Sequence, residues 1–487
     1  MVSCVGRGAP GSLTRTGPKG YAMHENIPLL TDGYKLTHYA QYPAGTETVY
    51  SYFESRVGAT YSETTFFGLQ YILKKHFVGP VVTEKAIAEA KDFCAAYFGS
   101  TAMFNETMWR HILEKHGGRL PVRIRAVAEG TAVPTSNVMA TVENTDPACF
   151  ALTNHLETVL SQIWYPCTVA TLSRKIKSLI RRFMLETAGE DATKTALPYM
   201  LHDFGYRGVE AVEAAGIGGM AHLVNFSGTD TVAGIQTAMR YYNEPQVCGT
   251  SVPATEHSVM TALGREGEKE MFDRVLALYP TGVVSIVSDS YDIFNAVENI
   301  VCAPEYRKKV LARDGVLVVR PDSGDPVTTL LRLCDILAAG YGDAVNALGY
   351  RELNPKVRLL WGDGINYDGI YDILSALKNA GWSAANMACF GSGGGLLQKM
   401  DRDVQRFAFK CSAQKRNGEW LGIAKNPLDT TKASKKGRLA LVKSANGQFR
   451  TVGEDGFSGE NFLEPVFENG VLLRDMTFSE VRENAER

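Results

Sequence analysis

Four short apolar runs, each closing in polar or glycine residues, constrain this 487-residue chain more than any other feature: "GVVSIVSDS" (282–290), "GVLVVRPDS" (315–323), "KVRLLWGDG" (356–364) and "MACFGSGGG" (387–395). A strand with one face in water alternates apolar and polar side chains, whereas a nearly continuous apolar run belongs to a strand covered on both faces. The last three runs are separated by "PVTTLLRLCDILAAGY" and "YDGIYDILSALKNAGW", whose apolar spacing is helical. Strand and helix alternating in this way predict an α/β architecture with a parallel sheet. An irregular β/α barrel over residues 161–397 is expected. An open doubly wound sheet is the alternative, because rhythm alone does not separate the two.

The flanking segments have a different texture. "TVYSYFESR" alternates like a strand, "EKAIAEAKDFCAAYF" has a helical period, and "PVRIRAVAEGTAV" predicts strands joined by a turn. Residues 148–189 are helical in period with a break expected near Pro166, and "GVEAVEAAGIGGMAHLVNFSGTD" predicts a helix followed by a strand at "HLVNF". Near the end, "FAFKCSAQKRNGEWLGIAKNP" and "GRLALVKSANGQFRTV" predict antiparallel hairpins with Asn-Gly turns, rejoining the N-terminal sheet. The expected division is a disordered extension over 1–20, a discontinuous α+β domain of 21–160 plus 398–487, and the barrel between.

Bulk properties exclude several classes. Hydrophobic residues make up 45% and charged residues 21%, as in a globular protein. No apolar run approaches the ~20 residues a membrane-spanning helix needs. A net charge of −2 argues against a nucleic-acid partner. The nine cysteines are scattered without a CxxC pair, which fits free thiols in a reducing compartment. The first residues lack the apolar stretch of a secretory signal, so the cytoplasm is the expected location.

In a parallel β/α fold, functional groups collect where strands end. Ser285 and Asp289 close one run, Arg320, Asp322 and Ser323 the next, Gly362, Asp363 and Gly364 a third, and a glycine loop the fourth. That loop, "CFGSGGGLLQK", crowds Gly391, Gly393, Gly394 and Gly395 together before a helix expected over "LLQKMDRDV". Bare amides at such a turn can cradle a phosphate that side chains would exclude, although a hinge or tight helix–sheet packing explains glycines equally well. Arg320 offers a fork for phosphate or carbonyl oxygen, and Asp322 an acceptor suited to a sugar diol, unless the two form a buried structural pair. Together they suggest a phosphorylated ribose. "LHDFGYRG" adds Phe204, able to stack on a flat ring or serve as core, and Arg207 for anionic oxygen. Glu256 adjoins His257 in "SVPATEHS", without the HxH or HExxH spacing of a metal site, and no metal ligand is assigned.

Taken in order, "TDGYKLTHY", "YSYFESR", "FFGLQYIL", "VENTDP", "LHDFGYRG", "NFSGTDTVAG", "SVPATEHS", "SDSYDI", "RPDSGDP", "GDG", "FGSGGGLLQK" and "SKKGRL" closely resemble the nicotinamide phosphoribosyltransferases, from about residue 27 to the end. The resemblance implies a type II phosphoribosyltransferase fold and a homodimer with shared active sites. It implies nicotinamide and 5-phosphoribosyl-1-pyrophosphate as substrates, with Mg²⁺ and ATP as a facultative co-substrate. Nicotinate phosphoribosyltransferase is the alternative, and a sugar-phosphate isomerase or a non-catalytic binding protein are more distant rivals.

Carried over to this chain, Phe204 and the partner chain's copy of Tyr34 would sandwich the pyridine ring. Asp230 would accept from the carboxamide, and Ser285, Arg320 and Pro321 would line the same tunnel. Asp322, Gly362 and Asp363 would hold the ribose, and Gly393 and Gly394 its 5′-phosphate. Arg56, Arg207, Arg402, Lys410 and Lys425 would surround phosphate and pyrophosphate, some across the dimer. His257, beside Glu256 and near Asp289, matches the family's phosphorylated histidine. The glycine-rich extension, a glycine at 33 where serine is common, and a slightly longer strand before the glycine loop depart from the pattern.

Overall fold

Each of the four apolar runs is a strand in the computed structural model, which describes residues 25–424 and 434–487. The expected extension at 1–20 and Lys425 lie outside the described residues. Thr281–Val287, Asp314–Arg320, Val357–Trp361 and Met387–Ser392 run parallel, and the short strands Leu201–Asp203 and Gly228–Thr229 continue the sheet beyond Met387–Ser392. Burial on both faces explains the unbroken apolar runs: Val284, Ile286 and Val287 are all fully buried.

A short extended segment turns this sheet into a ring. Thr250 pairs in parallel with Gly228 on one edge, and Ala254 with Ser285 on the other. Backbone hydrogen bonds anchor the strap at both edges: Thr229 N donates to Thr250 O (2.9 Å) and Thr250 N to Ser227 O (2.7 Å), while Ser285 N donates to Pro253 O (2.9 Å) and Thr255 N to Ser285 O (3.0 Å). The sheet is therefore an irregular barrel rather than an open, doubly wound one. Helices Pro326–Tyr341 and Tyr367–Asn379 cross between successive strands, each started by a side-chain cap: Asp325 accepts from Thr328 N, and Asn366 from Gly369 N.

The chain ends build a second, seven-stranded antiparallel sheet. Its order is Glu419–Gly422, Ala408–Arg416, Thr46–Glu54, Val138–Asn144, Val122–Ala126, Glu464–Glu468, Val471–Leu472. Asn417 and Gly418 both have positive φ at the first hairpin turn, the geometry that Asn-Gly favours. The second hairpin, Leu439–Lys443 with Phe449–Gly453, forms its own two-stranded sheet instead of joining the large one. One continuous hydrophobic cluster runs from Tyr52 and Phe67 through Leu172 to Phe272 and Trp361, packing both sheets together. No helix among the described residues is long and apolar enough to cross a membrane.

Three local expectations change, and the break near Pro166 holds. The strands in "PVRIRAVAEGTAV" exist, but Val122–Ala126 pairs with Val138–Asn144 and Ala132–Pro134 with Glu63–Thr65, so they do not form a hairpin with each other. "HLVNF" is not a strand: His222 ends helix Val212–His222, and the strand that follows is only Gly228–Thr229. The helical break falls between Leu152–Ser161 and Trp164–Thr187, just before Pro166, which sits in the first turn where a missing N–H costs nothing. The helix after the glycine loop stops at Gly394–Leu397, because Gln398 N and Lys399 N both turn back to Gly394 O.

Candidate functional site

Asp203 organises one wall of the site. It ends the strand Leu201–Asp203, and its Oδ1 accepts from Gly205 N (2.7 Å), which fixes the turn carrying Phe204. Its backbone carbonyl accepts from Asp230 N (2.9 Å), while Phe204 N donates to Ser392 O (2.9 Å) on the neighbouring strand. Burial pushes the Asp203 carboxyl up to about 6. Phe204 and Asp230 are thus held to one another through the backbone of adjacent strands. The Asp230 carboxylate is solvent-facing and accepts from Ser251 Oγ, on the strap that closes the barrel.

The glycines divide into two kinds. A Cβ on Gly391 would lie 2.0 Å from the Phe204 ring, and one on Gly395 would lie 2.5 Å from Ile365 O, so both are demanded by packing. A Cβ on Gly394 would approach only Gln398 Oε1, at 3.4 Å. Close packing therefore accounts for most of the glycine loop, since a Cβ on Gly393 would also crowd Phe204 O at 3.2 Å, and Gly394 is the position left open toward a ligand. The turn Gly394–Leu397 is too short to supply much macrodipole, but first-turn amides have no partner within their own helix and are free to meet an anion.

The opposite wall comes from the strand Asp314–Arg320. Arg320 Nε has no hydrogen-bond partner among the described residues and lies 3.9 Å from Asp322 Oδ1, too far for a tight structural pair. Burial pushes the Asp322 carboxyl up from its ordinary value, with Arg320 pulling it down and Asp289 pushing it up. Asp289 accepts from Asp322 N (3.0 Å) and Ser323 Oγ (2.6 Å) through Oδ2, and its Oδ1 lies 3.0 Å from His257 Nε2. Glu256 turns instead to the Ser258 hydroxyl.

These walls enclose a cavity of about 540 Å³, within the range of small-molecule sites. Phe204, Arg207, Asp230, Arg320, Asp322, Gly362, Asp363, Gly393 and Gly394 all line it. Pro321 is buried beside them in the chain, and Ser285 is buried on its strand with an unpartnered hydroxyl among the described residues. The same cavity is lined by Asn366 and Lys399, which sequence reasoning did not single out. Lys399 had a readable signal, a cation one turn beyond a glycine loop; Asn366 had none beyond its role as a helix cap.

Arg56, Arg402 and Lys410 are not in this cavity. They line a separate one of about 140 Å³ with Phe53, Glu157 and Phe407. Tyr34 is exposed on the 3-10 segment Gly33–Ala40, outside both cavities. That segment is tied to helix Leu152–Ser161, where His38 Nδ1 meets Asn154 Oδ1 (2.9 Å) and Thr158 Oγ1 donates to Asp32 (2.7 Å).

Comparison with known proteins agrees with this architecture. A sequence model of the nicotinate phosphoribosyltransferase (NAPRTase) family matches residues 199–470, and one of the nicotinamide phosphoribosyltransferase N-terminal domain matches 26–124. Solved structures share the fold: a nicotinate-nucleotide pyrophosphorylase from Pyrococcus furiosus (TM-score 0.60, 17% identity, 96% of this chain and 97% of that one) and human nicotinic acid phosphoribosyltransferase (TM-score 0.59, 14% identity, 94% and 93%). Much nearer in sequence are proteins named nicotinamide phosphoribosyltransferase. The one from Xanthomonas campestris pv. campestris (strain 8004) is 44% identical over 95% of this chain and 99% of its own length. The one from Acinetobacter baylyi (strain ATCC 33305 / BD413 / ADP1) is 34% identical over 93% and 95%. Identity at that level, sustained from end to end, means that this chain belongs to the nicotinamide phosphoribosyltransferase family.

Proposed function

We propose that the 540 Å³ cavity transfers the 5-phosphoribosyl group of 5-phosphoribosyl-1-pyrophosphate to the ring nitrogen of nicotinamide, giving nicotinamide mononucleotide and pyrophosphate, a step of NAD salvage. One observation carries the assignment of roles. Phe204 and Asp230, locked together by Asp203, share a cavity with Arg320, Asp322, Asp363 and the Gly393–Gly394 backbone. An aromatic face with a carboxylate acceptor fits a pyridine amide. A carboxylate pair beside bare amides and cations fits a ribose 5-phosphate.

As the bond from carbon 1 to pyrophosphate breaks, the sugar gains oxocarbenium character and the pyridine nitrogen's lone pair forms the new bond. That nitrogen carries no proton, so no general base is needed. The work of the chain is alignment and stabilisation of the departing charge. Phe204 and Asp230 hold the ring so that its nitrogen faces carbon 1. Asp322 and Asp363 hold the sugar hydroxyls, and Arg207, Arg320 and Lys399 face the phosphates. The donors available for Mg²⁺ are the hard oxygens of Asp322 and Asp363, which suit that ion; when bound it neutralises pyrophosphate.

Two further roles rest on the same frame. His257, half exposed and oriented by buried Asp289, is the acceptor of a phosphoryl group from ATP. A homodimer brings Tyr34 and the Arg56, Arg402 and Lys410 cluster of one chain to the cavity of the other, since in a single chain they line no part of it.

Incubating the protein with 5-phosphoribosyl-1-pyrophosphate, Mg²⁺ and either pyridine tests the assignment. The mononucleotide of nicotinamide is the expected product. Preferential turnover of nicotinate would move the chain's activity to the alternative.

A further inference from the structure

Two histidines, a carboxylate and a thiol meet on the antiparallel side of the molecule, in a cluster that the proposed transfer does not use. His111 and His116 lie in the last two turns of helix Glu106–His116. Asp146 and Cys149 belong to the 3-10 turn after the strand Val138–Asn144. His111 Nε2 lies 2.8 Å and His116 Nε2 2.7 Å from the same atom, Asp146 Oδ2. The four ligand atoms, including Cys149 Sγ, all fall within 4.8 Å of one another.

Two imidazole nitrogens converging on one carboxylate oxygen is more than helix capping requires. Asp146 already caps the turn with its other oxygen, Oδ1, which accepts from Ala148 N (2.8 Å). Asn144 Nδ2 donates to Asp146 O (2.8 Å), which pins the turn from below. We propose that His111, His116, Asp146 and Cys149 form a four-coordinate structural site for a zinc-class divalent cation.

The donor set selects the ion. Two imidazoles, a thiolate and a carboxylate suit Zn²⁺ in tetrahedral geometry, and a soft thiolate disfavours Mg²⁺. Only small outward movements are needed, because ligand atoms now at hydrogen-bond distance must part to admit metal bonds of about 2.0–2.3 Å. The route in is open: His111, His116 and Asp146 side chains keep about a quarter of their surface exposed, while Cys149 is fully buried behind them. On binding, the Cys149 S–H bond breaks, its proton passes to solvent, and a Zn–S bond forms. The Nε2 protons of neutral histidines move to Nδ1 through solvent, so one proton is released from these groups.

Such a pin joins helix Glu106–His116 to the turn that leads into helix Leu152–Ser161, the helix holding the segment that presents Tyr34. The ion is structural: all four positions are taken by protein.

Tag-free protein, stripped with chelator and dialysed, is titrated with Zn²⁺ against a chromophoric competitor and separately with Co²⁺. One Zn²⁺ per chain and a tetrahedral cobalt spectrum with a thiolate charge-transfer band are expected. Cys149→Ala should remove the thiolate band. His111→Gln with His116→Gln should weaken Zn²⁺ binding by at least about a hundredfold, the upper range for disturbing even an outer-shell partner. His257→Ala, which alters a separate His–carboxylate pair, should leave both signals in place. Absence of a cobalt–thiolate band in the parent protein, or its persistence in Cys149→Ala, overturns the proposal. Because the parent spectrum decides by itself, a variant that fails to fold does not protect the idea.

Discussion

His257 and Asp289 are joined across 3.0 Å, and the second oxygen of Asp289 holds the backbone amide of Asp322 on the cavity wall. The histidine's orientation and the position of the Asp322 loop therefore depend on a single buried carboxylate. His257→Ala should abolish ATP turnover while leaving measurable transfer without ATP. Asp289→Asn should impair both, because it disturbs the Asp322 loop as well. Phosphate release and mononucleotide formation, measured side by side, separate the two variants; ATP turnover persisting in His257→Ala would remove the histidine from its role.

In the proposed reaction Asp230 sets the choice between an amide and an acid. A carboxylate that welcomes the NH₂ of nicotinamide repels the carboxylate of nicotinate, and like-charge contact at a partly desolvated interface costs several kcal/mol. At tenfold per 1.4 kcal/mol, Asp230→Asn should narrow the ratio of kcat/KM values for the two pyridines by about a hundredfold or more. An unchanged ratio in steady-state kinetics would show that another group discriminates.

Neighbouring glycines should fail in different ways. In Gly391→Ala the new methyl is placed 2.0 Å from the Phe204 ring, which must swing out of its seat. KM for nicotinamide should rise sharply. In Gly394→Ala the methyl has room but stands where the phosphate approaches bare amides, so KM for 5-phosphoribosyl-1-pyrophosphate should rise instead. Equal effects on both substrates would contradict the division of the loop.

The proposed sharing of active sites between two chains is tested by a mixing experiment. Asp322→Ala removes a cavity residue, and Arg402→Ala removes one from the separate cation-lined cavity. Each homodimer should be nearly inactive. Mixed dimers should regain activity, because one of their two sites keeps both residues. No recovery after subunit exchange, verified by mass spectrometry, would place Arg402 in the site of its own chain or outside catalysis.

Acid should unfold the protein through histidines held neutral. Burial lowers His155 to about 4 and His222 to about 3, from an ordinary value of 6.5. Between those values only the unfolded chain binds the proton, so their contribution is complete above pH 6.5 and lost as pH falls toward 4. Asp203, raised to about 6, works in the opposite direction between its ordinary value and 6. His76, lowered to about 4, and Asp146, lowered to about 2, act with the two histidines, against the raised carboxyls of Asp203, Glu129 and Glu143. Tm should therefore fall from pH 6.5 to 4, with His155 contributing up to about 3 kcal/mol. His155→Gln should flatten that slope.

The barrel was legible because strands buried on both faces leave unbroken apolar runs, as at Val284–Val287. Gly228–Thr229 was not, since two residues carry no periodicity and the apolar "HLVNF" before them is a helix end packed inward. The cavity's walls followed from strand ends, yet the reason for Gly391 lies in Phe204, far away in the chain and visible only once the strands pair. The cluster of His111, His116, Asp146 and Cys149 was hidden for the same reason, its members standing on two elements with no motif spacing. Ring closure by residues 250–254 had no sequence signal, because two single bridges impose no pattern on side chains.

That closing strap strings two controls on one thread. Ser251 donates to Asp230, and just downstream the same backbone delivers His257 to Asp289. Under the proposed reaction, one stretch of main chain would position a group at the pyridine end of the cavity and another at its phosphate end.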